Sequence, residues 1–362
     1  MNAVPQPPTA CADAIAALQE RIARAHAQGE PLRIVGGDTK AFYGREPAGE
    51  AVSTAALKGI AAYEPSELVI TAMAGTPLDE IEAALAERGQ MLAFEPPHFG
   101  AGATLGGTIA CGFSGPRRPY AGAARDFVLG VRCLNGKGEL LRFGGQVMKN
   151  VAGYDISRLM VGALGTLGVL VDVSLKVLPR PEAELTLAHE VTAAEAIERM
   201  NRWAGQPLPL SAAAYDTACL TVRLSGAAAA LEAARASIGG DVVADAAEYW
   251  SELREHRSAF FDSGECLWRL SVPPTTPHLH FPGEWLLEWG GAQRWLKTTA
   301  APEEVRAAAR VAGGHATMFR HGDRGQEVFS PLSPPLLRLH RELKAQFDPM
   351  RILNPGRMYA GL

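Results

Sequence analysis

Residues 100–118, GAGATLGGTIACGFSGPRR, hold six glycines in nineteen positions and lead toward an apolar stretch that begins at Phe127. Glycine gives up more backbone entropy on folding than any other residue, so a dense cluster points to positive φ angles or very close approach to another group. Backbone N–H groups brought up to a phosphate or a flat ring are the functional form of that need. A plain turn is the structural form, and for any single glycine here it suffices. Gly100, Gly102 and Gly106 can be forced into a GxGxxxG dinucleotide pattern, but Glu95-Pro96-Pro97-His98 precedes them where that fingerprint needs a strand. No GxxxxGK[ST] occurs either. The stretch argues against a nicotinamide Rossmann domain and a P-loop.

Outward from this cluster, the chain reads as alternating helices and strands. Ile15, Leu18, Ile22 and Ala25 predict a helix over 12–28, and Pro31 introduces a strand LRIV that ends at Gly36-Gly37-Asp38-Thr39-Lys40. A strand over 68–72 leads into Thr76-Pro77, read as a capping Thr and a first-turn Pro for a helix that stops near Gly89. Strands 127–134 and 139–143 flank Asn135-Gly136-Lys137-Gly138, a hairpin signal. Residues 155–161 predict a helix capped by Asp155, and 166–178 a long strand that Pro179-Arg180-Pro181 ends. Beyond it, helices near 193–203, 227–236 and 303–312 alternate with strands near 212–215, 219–224, 267–272, 285–289 and 316–320. That pattern predicts an antiparallel α+β unit. No internal repeat is visible in the sequence.

Bulk properties narrow the function. The 362 residues suit two domains rather than one small core. A net charge of −4 and a pI near 6.2 leave no basic footprint, so nucleic acid is not an expected partner. No secretory signal is read in the first twenty residues, and no run reaches the roughly 20 apolar residues of a membrane span. Cys11, Cys111, Cys133, Cys219 and Cys266 are far apart with no CxxC, against a disulfide frame, a zinc site or an iron–sulfur cluster. Cytoplasmic location fits that cysteine usage. Any electrons that pass through the chain leave by a separate carrier.

Several short blocks together are specific: SELVITA (66–72), EPPHFG (95–100), GPRRPY (115–120), RDFVLG (125–130), LRFGGQVMKNVAGYDISRLMVG (141–162), KVLPRP (176–181), GGHAT (313–317) and NPGRMY (354–359). With them the chain resembles the FAD-binding domain of the vanillyl-alcohol oxidase / p-cresol methylhydroxylase (PCMH) type. More narrowly it resembles the FAD-binding E-subunit family of bacterial glycolate oxidase (glycolate dehydrogenase). The resemblance runs from about Leu32 to Leu362. It implies an α+β architecture: a two-part PCMH-type FAD domain over 1–180, a smaller antiparallel, ferredoxin-like cap over 181–333, and a tail over 334–362 that returns to the flavin.

It further implies that Gly36, Gly37, Asp38, Thr39 and Lys40 form a first pyrophosphate loop, and that Thr104, Leu105, Gly106, Gly107 and Thr108 supply a second set of donors. Cys111, Gly112 and Ser114 would pass the flavin ring. Gly165, Gly168 and Val169 would lie near the adenine end, and Asn354 and Arg357 would come from the tail. A cation near flavin N1–C2 stabilises the reduced, anionic ring. Asp38 and Thr39 stand where covalent members use His, which implies non-covalent FAD. The implied partners are a sister FAD subunit, an iron–sulfur subunit and a small 2-hydroxy acid, in a complex peripheral to the inner membrane.

Two features depart from the family pattern. Ala163-Leu164-Gly165 replaces the Ser-Glu-Gly of related D-2-hydroxyacid dehydrogenases. The paired metal-binding histidines of the sister subunit have no equivalent, since His278 and His280 sit in a Pro-flanked loop and His321 has no partner nearby; no metal site is expected.

Oxidation of a hydroxy acid needs a guanidinium for the carboxylate and a base for the hydroxyl proton. Arg117 or Arg118 is the candidate clamp, and His98 or His315 the candidate base. The bland readings are a solvated loop for the arginines and a helix-to-strand turn for His315. Lys149, Asn150, Tyr154 and Asp155 are further candidates for lining the flavin pocket. A stand-alone oxidase using oxygen and a non-catalytic FAD scaffold remain as alternatives.

Overall fold

The computed structural model describes residues 9–145 and 155–362. Helix α1 (Thr9–Gln28) lays Ile15, Leu18, Ile22 and Ala25 on strands β1 (Leu32–Val35) and β2 (Glu50–Ser53), which pair in parallel. The tail completes this layer. Leu32 bridges Leu353 in parallel, with Leu32 N–H donating to Ile352 O at 2.7 Å and Asn354 N–H to Leu32 O at 2.9 Å. The tail thus returns to the N-terminal half, held to β1 by this backbone ladder.

The second layer is a five-stranded antiparallel sheet. It uses β3 (Ile60–Glu64), β4 (Val69–Met73), β6 (Val128–Leu134), β7 (Leu140–Gly144) and β8 (Val169–Lys176), in the order β3-β4-β8-β6-β7. A small pair, β5 (Gln90–Met91) and β9 (Leu178–Pro179), closes one side. Helices α2 (Leu78–Ala86), α3 (Leu105–Cys111), α4 (Arg118–Ala121), α5 (Ala124–Phe127) and α6 (Ile156–Leu159) fill the connections. Leu78, Ile81, Leu85, Phe94, Leu105, Ile109, Phe127 and Val173 form its core.

Two local expectations need correction. Pro77, not Thr76, is the N-cap of α2, and the Thr76 hydroxyl instead donates to Gly59 O at 3.1 Å and accepts from Gly59 N. In the β6–β7 turn the positive φ falls on Gly138 (80°), not on Asn135-Gly136. Gly136 is a close-approach glycine, because a Cβ there would lie 2.3 Å from Asp348 Oδ1.

The C-terminal half holds β10 (Ala183–Glu190), α7 (Ala193–Ala204), β11 (Leu210–Asp216), β12 (Cys219–Gly226), α8 (Ala228–Ile238), β13 (Asp241–Val242) and α9 (Ala246–Glu255). It continues with β14 (Leu267–Ser271), β15 (Glu284–Glu288), β16 (Gln293–Lys297), α10 (Pro302–Val311), β17 (His315–Arg320) and α11 (Pro334–Phe347). Its eight strands run antiparallel in the order β13-β10-β12-β11-β15-β16-β14-β17. Numbered within each quartet, this is 4-1-3-2 fused to 2-3-1-4 through the β11·β15 contact. The ferredoxin-like strand order is thus present twice, although no helix joins β14 to β15 as α7 joins β10 to β11; the repeat is carried by topology and not by residue identity.

Local chemistry accounts for the helix starts here. Thr192 and Glu195 form a reciprocal capping box on α7, with N···O distances of 2.9 and 3.3 Å. One sheet face packs α7, α8 and α10 over two apolar clusters. The other face, with α9, turns toward the N-terminal half.

Candidate functional site

Where β1 ends, the chain passes through Gly36–Lys40 with Asp38 at φ 57°. The five N–H groups of this segment have no acceptor among the described residues, which makes a concave fan of donors suited to an anion. No side chain fits in the bend. A Cβ on Gly37 would stand 1.7 Å from Gly102 O, and one on Gly36 would stand 2.6 Å from Thr104 Oγ1. The opening glycine cluster therefore presses directly against the first loop. Gly106 repeats the theme, since a Cβ there would lie 2.8 Å from Ala74 Cβ.

These segments line one groove of about 800 Å3, which includes open solvent. It collects Gly36, Gly37, Asp38, Thr39, Lys40, Thr104, Gly106, Gly107, Cys111, Gly165, Gly168, Asn354 and Arg357. Five of the expected positions sit elsewhere. Leu105 and Val169 are packed into the core, Thr108 is fully buried, and Gly112 is the left-handed C-cap of α3. Ser114 accepts from Ala124 N–H at 2.9 Å and faces a different chamber. Ile34, Thr54, Ala110, Met160, Leu164 and Leu170 line the groove without having been singled out, because small and apolar wall residues carry no signal distinct from core.

The inner end of the groove is cationic. Lys40 is buried and donates to His98 O at 3.0 Å and to Thr39 Oγ1 at 3.3 Å, and burial lowers its pKa. Arg357 is buried too. Its Nη2 donates to Tyr43 O at 3.2 Å, and its Nε has no partner among the described residues. Burial raises the Cys111 thiol pKa, while Arg357 and Lys40 pull it down. A buried guanidinium with an orphan N–H at the end of a fan of free amides suits an anionic group with a flat head. Asn354 has a framing role: Nδ2 donates to Leu164 O at 2.6 Å and Oδ1 accepts from Ile34 N–H at 2.7 Å.

The four candidates for substrate chemistry do not meet in this groove. His98 Nδ1 and Nε2 lie 3.3 Å from Asp79 and 3.2 Å from Glu82, both on α2. Arg117 joins a network between the two halves, with Nε at 3.2 Å from Glu95, Nη2 at 2.5 Å from Glu184, and Arg223 closing on Glu95 at 2.7 Å. The guanidinium is therefore held by fixed carboxylates, not free as a clamp. His315 opens β17 opposite Ser271 at an exposed position. Arg118 stacks over Trp289 at 4.3 Å. Asp155 caps α6 through Arg158 N–H at 3.1 Å, whereas Lys149, Asn150 and Tyr154 lie outside the described residues.

The His98 pair has a pH signature. Glu82 raises the His98 pKa above 6.5, against the opposing effect of burial. A raised histidine stabilises the fold fully below its unfolded pKa and loses that contribution as pH rises through the folded value. Glu82→Gln is expected to lower stability at pH 5.5 by at most about 1 kcal/mol, because Asp79 and Glu82 are partly exposed. At pH 8.5 the difference should shrink. Urea midpoints at the two pH values check it, and a difference that grows with pH refutes the assignment.

Residues 8–144 match the family model described as an FAD binding domain. Two crystal forms of alkyldihydroxyacetonephosphate synthase share the fold. The first has a TM-score of 0.65 and 16% identity, covering 94% of this chain and 75% of that one; the second has a TM-score of 0.64 and 17% identity. Fold and family model together define a protein with an FAD-binding domain. Glycolate oxidase subunit GlcE of Escherichia coli (strain K12) is 52% identical over 346 residues, spanning 96% of this chain and 97% of that protein, and the chain belongs to this family. Glycolate oxidase subunit GlcD of Bacillus subtilis (strain 168) is 42% identical over 84 residues, 23% of this chain and 18% of that one. A D-2-hydroxyglutarate dehydrogenase of Xanthomonas citri pv. viticola is 34% identical over 121 residues, 33% of this chain and 25% of that one.

Proposed function

We propose that this chain is the FAD-binding subunit of an enzyme complex that oxidises glycolate, a 2-hydroxy acid, to glyoxylate. The observation that carries the reading is the fan of five amides at Gly36–Lys40, without an acceptor among the described residues, in a groove that ends at Lys40 and Arg357. In this reading the fan, with Thr104, Gly106 and Gly107 beside it, holds the pyrophosphate. Gly165 and Gly168 border the adenine end. Arg357 and Lys40 face the flavin head, where their charge favours the reduced form. FAD, when bound, supplies the two-electron acceptor. Attachment is non-covalent, because no His stands in the Gly36–Lys40 loop.

The working division of the chain is 1–180 for FAD, 181–333 for the cap and 334–362 for the tail. A sister FAD subunit and an iron–sulfur subunit are the proposed partners, in a complex on the cytoplasmic face of the inner membrane. Among the described residues no helix is long and apolar enough to cross a membrane, so attachment would come through the complex.

An anaerobic glycolate titration, run on the FAD-loaded chain and then with the partner subunits added, tests the reading. Flavin bleaching in the assembled complex is expected. A chain that stays colourless after reconstitution with FAD would remove the reading. Bleaching by the chain alone, followed by rapid peroxide formation in air, would favour the stand-alone oxidase.

A further inference from the structure

Within the EPPHFG block, the backbone of His98 and Phe99 runs between the inner end of the groove and helix α9 of the C-terminal half. Phe99 holds φ 55°, a left-handed conformation that is costly for an aromatic residue and persists only where neighbours enforce it. Glu255, the last residue of α9, enforces it. Its carboxylate accepts from His98 N–H at 3.0 and 3.2 Å and from Phe99 N–H at 2.8 Å. Arg254 Nε donates to the same carboxylate at 2.8 Å, and the His256 ring meets the Phe99 ring edge-on at 4.9 Å. On the other side of the 98–99 peptide, His98 O accepts from Lys40 Nζ at 3.0 Å.

Glu255 stands where a helix least favours an anion, because the C-terminus carries the negative end of the helix dipole. It is 7% exposed, so its charge has left water as well. Hydrogen bonds in series polarise one another, and a carboxylate on Phe99 N–H makes the carbonyl of the same peptide a stronger acceptor. That carbonyl is the one Lys40 meets. Lys40 is 5% exposed, and His98 O and Thr39 Oγ1 take two of its three protons. The third has no acceptor among the described residues, and Lys40 lines the groove. Other buried ammonium groups are held differently: Lys344 and Lys297 each touch a carboxylate directly, at 2.8 and 2.6 Å. Burial lowers the Lys40 pKa, and the Cys111 and Glu255 charges oppose that.

We propose that Glu255 is a positioning residue for the cofactor: acting through the 98–99 peptide, it keeps the Lys40 ammonium aimed into the groove, so that the C-terminal half sets how readily bound FAD is reduced. The inference rests on the function proposed above, in which Lys40 faces the flavin head. The His98 side chain takes no part, since its ring nitrogens lie against Asp79 and Glu82 on α2. The sign of the effect separates positioning from a plain electric field. By its field alone, the Glu255 charge disfavours an anionic reduced ring, and removing it makes FAD easier to reduce. Through Lys40, removing it withdraws a cation from the ring and makes FAD harder to reduce.

The test measures the two-electron reduction potential of FAD in the full chain, by equilibration with a reference dye, together with the melting temperature. Lys40→Met is expected to lower the potential. Glu255→Gln, which keeps an amide oxygen for Phe99 N–H but no charge, should lower it too. The expected loss of preference for reduced over oxidised FAD is about ten-fold, or about 30 mV for a two-electron couple. The double variant should lie no lower than Lys40→Met alone, because Glu255 then has nothing left to aim. Glu255→Asp, with the carboxylate drawn back by one methylene, should lower the potential by less and serves as the probe if the Gln variant fails to fold. An unchanged or raised potential in Glu255→Gln overturns the proposal, as does a double variant in which the two losses add. A fall in melting temperature with the potential unmoved makes Glu255 a brace of the fold only, which also overturns it. A wild type that takes up no FAD removes the proposed function and this inference with it. One that holds FAD, beside a Glu255→Gln variant of unaltered potential, removes this inference alone.

Discussion

Gly37→Ala is expected to give a chain that folds but is purified without FAD. The added Cβ would sit 1.7 Å from Gly102 O and 2.7 Å from Gly102 C, and both are backbone atoms. No rotamer change relieves such a clash, so the two glycine loops have to separate. Separation breaks the concave arrangement of the five free N–H groups, and that arrangement is what an anion of fixed shape would read. Overpacking of this kind costs about 1–3 kcal/mol in stability, which a protein of this size tolerates. The cofactor does not tolerate it. Affinity for FAD should fall on the order of a hundred-fold, the equivalent of about 2.7 kcal/mol. Gly264→Ala is the control, because a Cβ there meets nothing within 4 Å and Gly264 has no positive φ. Retention of wild-type FAD affinity by Gly37→Ala, measured by flavin fluorescence on reconstitution, sinks the loop assignment.

Legibility followed the range over which each residue's partner lies. The helix of Ile15, Leu18, Ile22 and Ala25 and the capping box of Thr192 with Glu195 are local, and both stand as read. Strand β16 was missed because its period is masked: Gln293, Arg294 and Lys297 are all buried, with Arg294 satisfied by carbonyls from another turn. The doubled quartet was invisible because topology repeats there without residues repeating.

The site divides in the same way. Its glycines were legible because a missing side chain is itself a signal; its apolar wall was not, since Ala110 or Leu170 in a groove looks like core. The sequence around His98 and Arg117 does not show the carboxylates that hold them, Glu82 on α2 and Glu184 on a strand of the other half. A charged residue read without its partner looks free.

Lys344→Met is the substitution expected to cost the most. Lys344 and Asp348 are 2% and 0% exposed and stand one helical turn apart at the end of α11. Lys344 Nζ donates to Asp348 Oδ2 at 2.8 Å, Thr166 O at 2.7 Å and Leu353 O at 2.8 Å, which uses all three of its protons. Asp348 in turn accepts from Ile352 N–H at 3.1 Å and Leu353 N–H at 2.7 Å. Burial lowers the Lys344 pKa and the Asp348 charge opposes that, so the ammonium is held by its partner. Removing the cation leaves a carboxylate enclosed without compensation, at a cost of about 3–5 kcal/mol and a fall in Tm on the order of 10 °C. Lys344→Met with Asp348→Asn should recover part of the loss, because the pair leaves together. The knot also sets the path of Leu353 and Asn354 beside β1, and Asn354 fixes the 164–165 turn at the groove. Loss of FAD affinity should accompany the fall in Tm for the single variant and be smaller for the double. A single variant that melts near wild type, or a double that melts lower than the single, contradicts the account of the tail as a strut held by one buried charge pair.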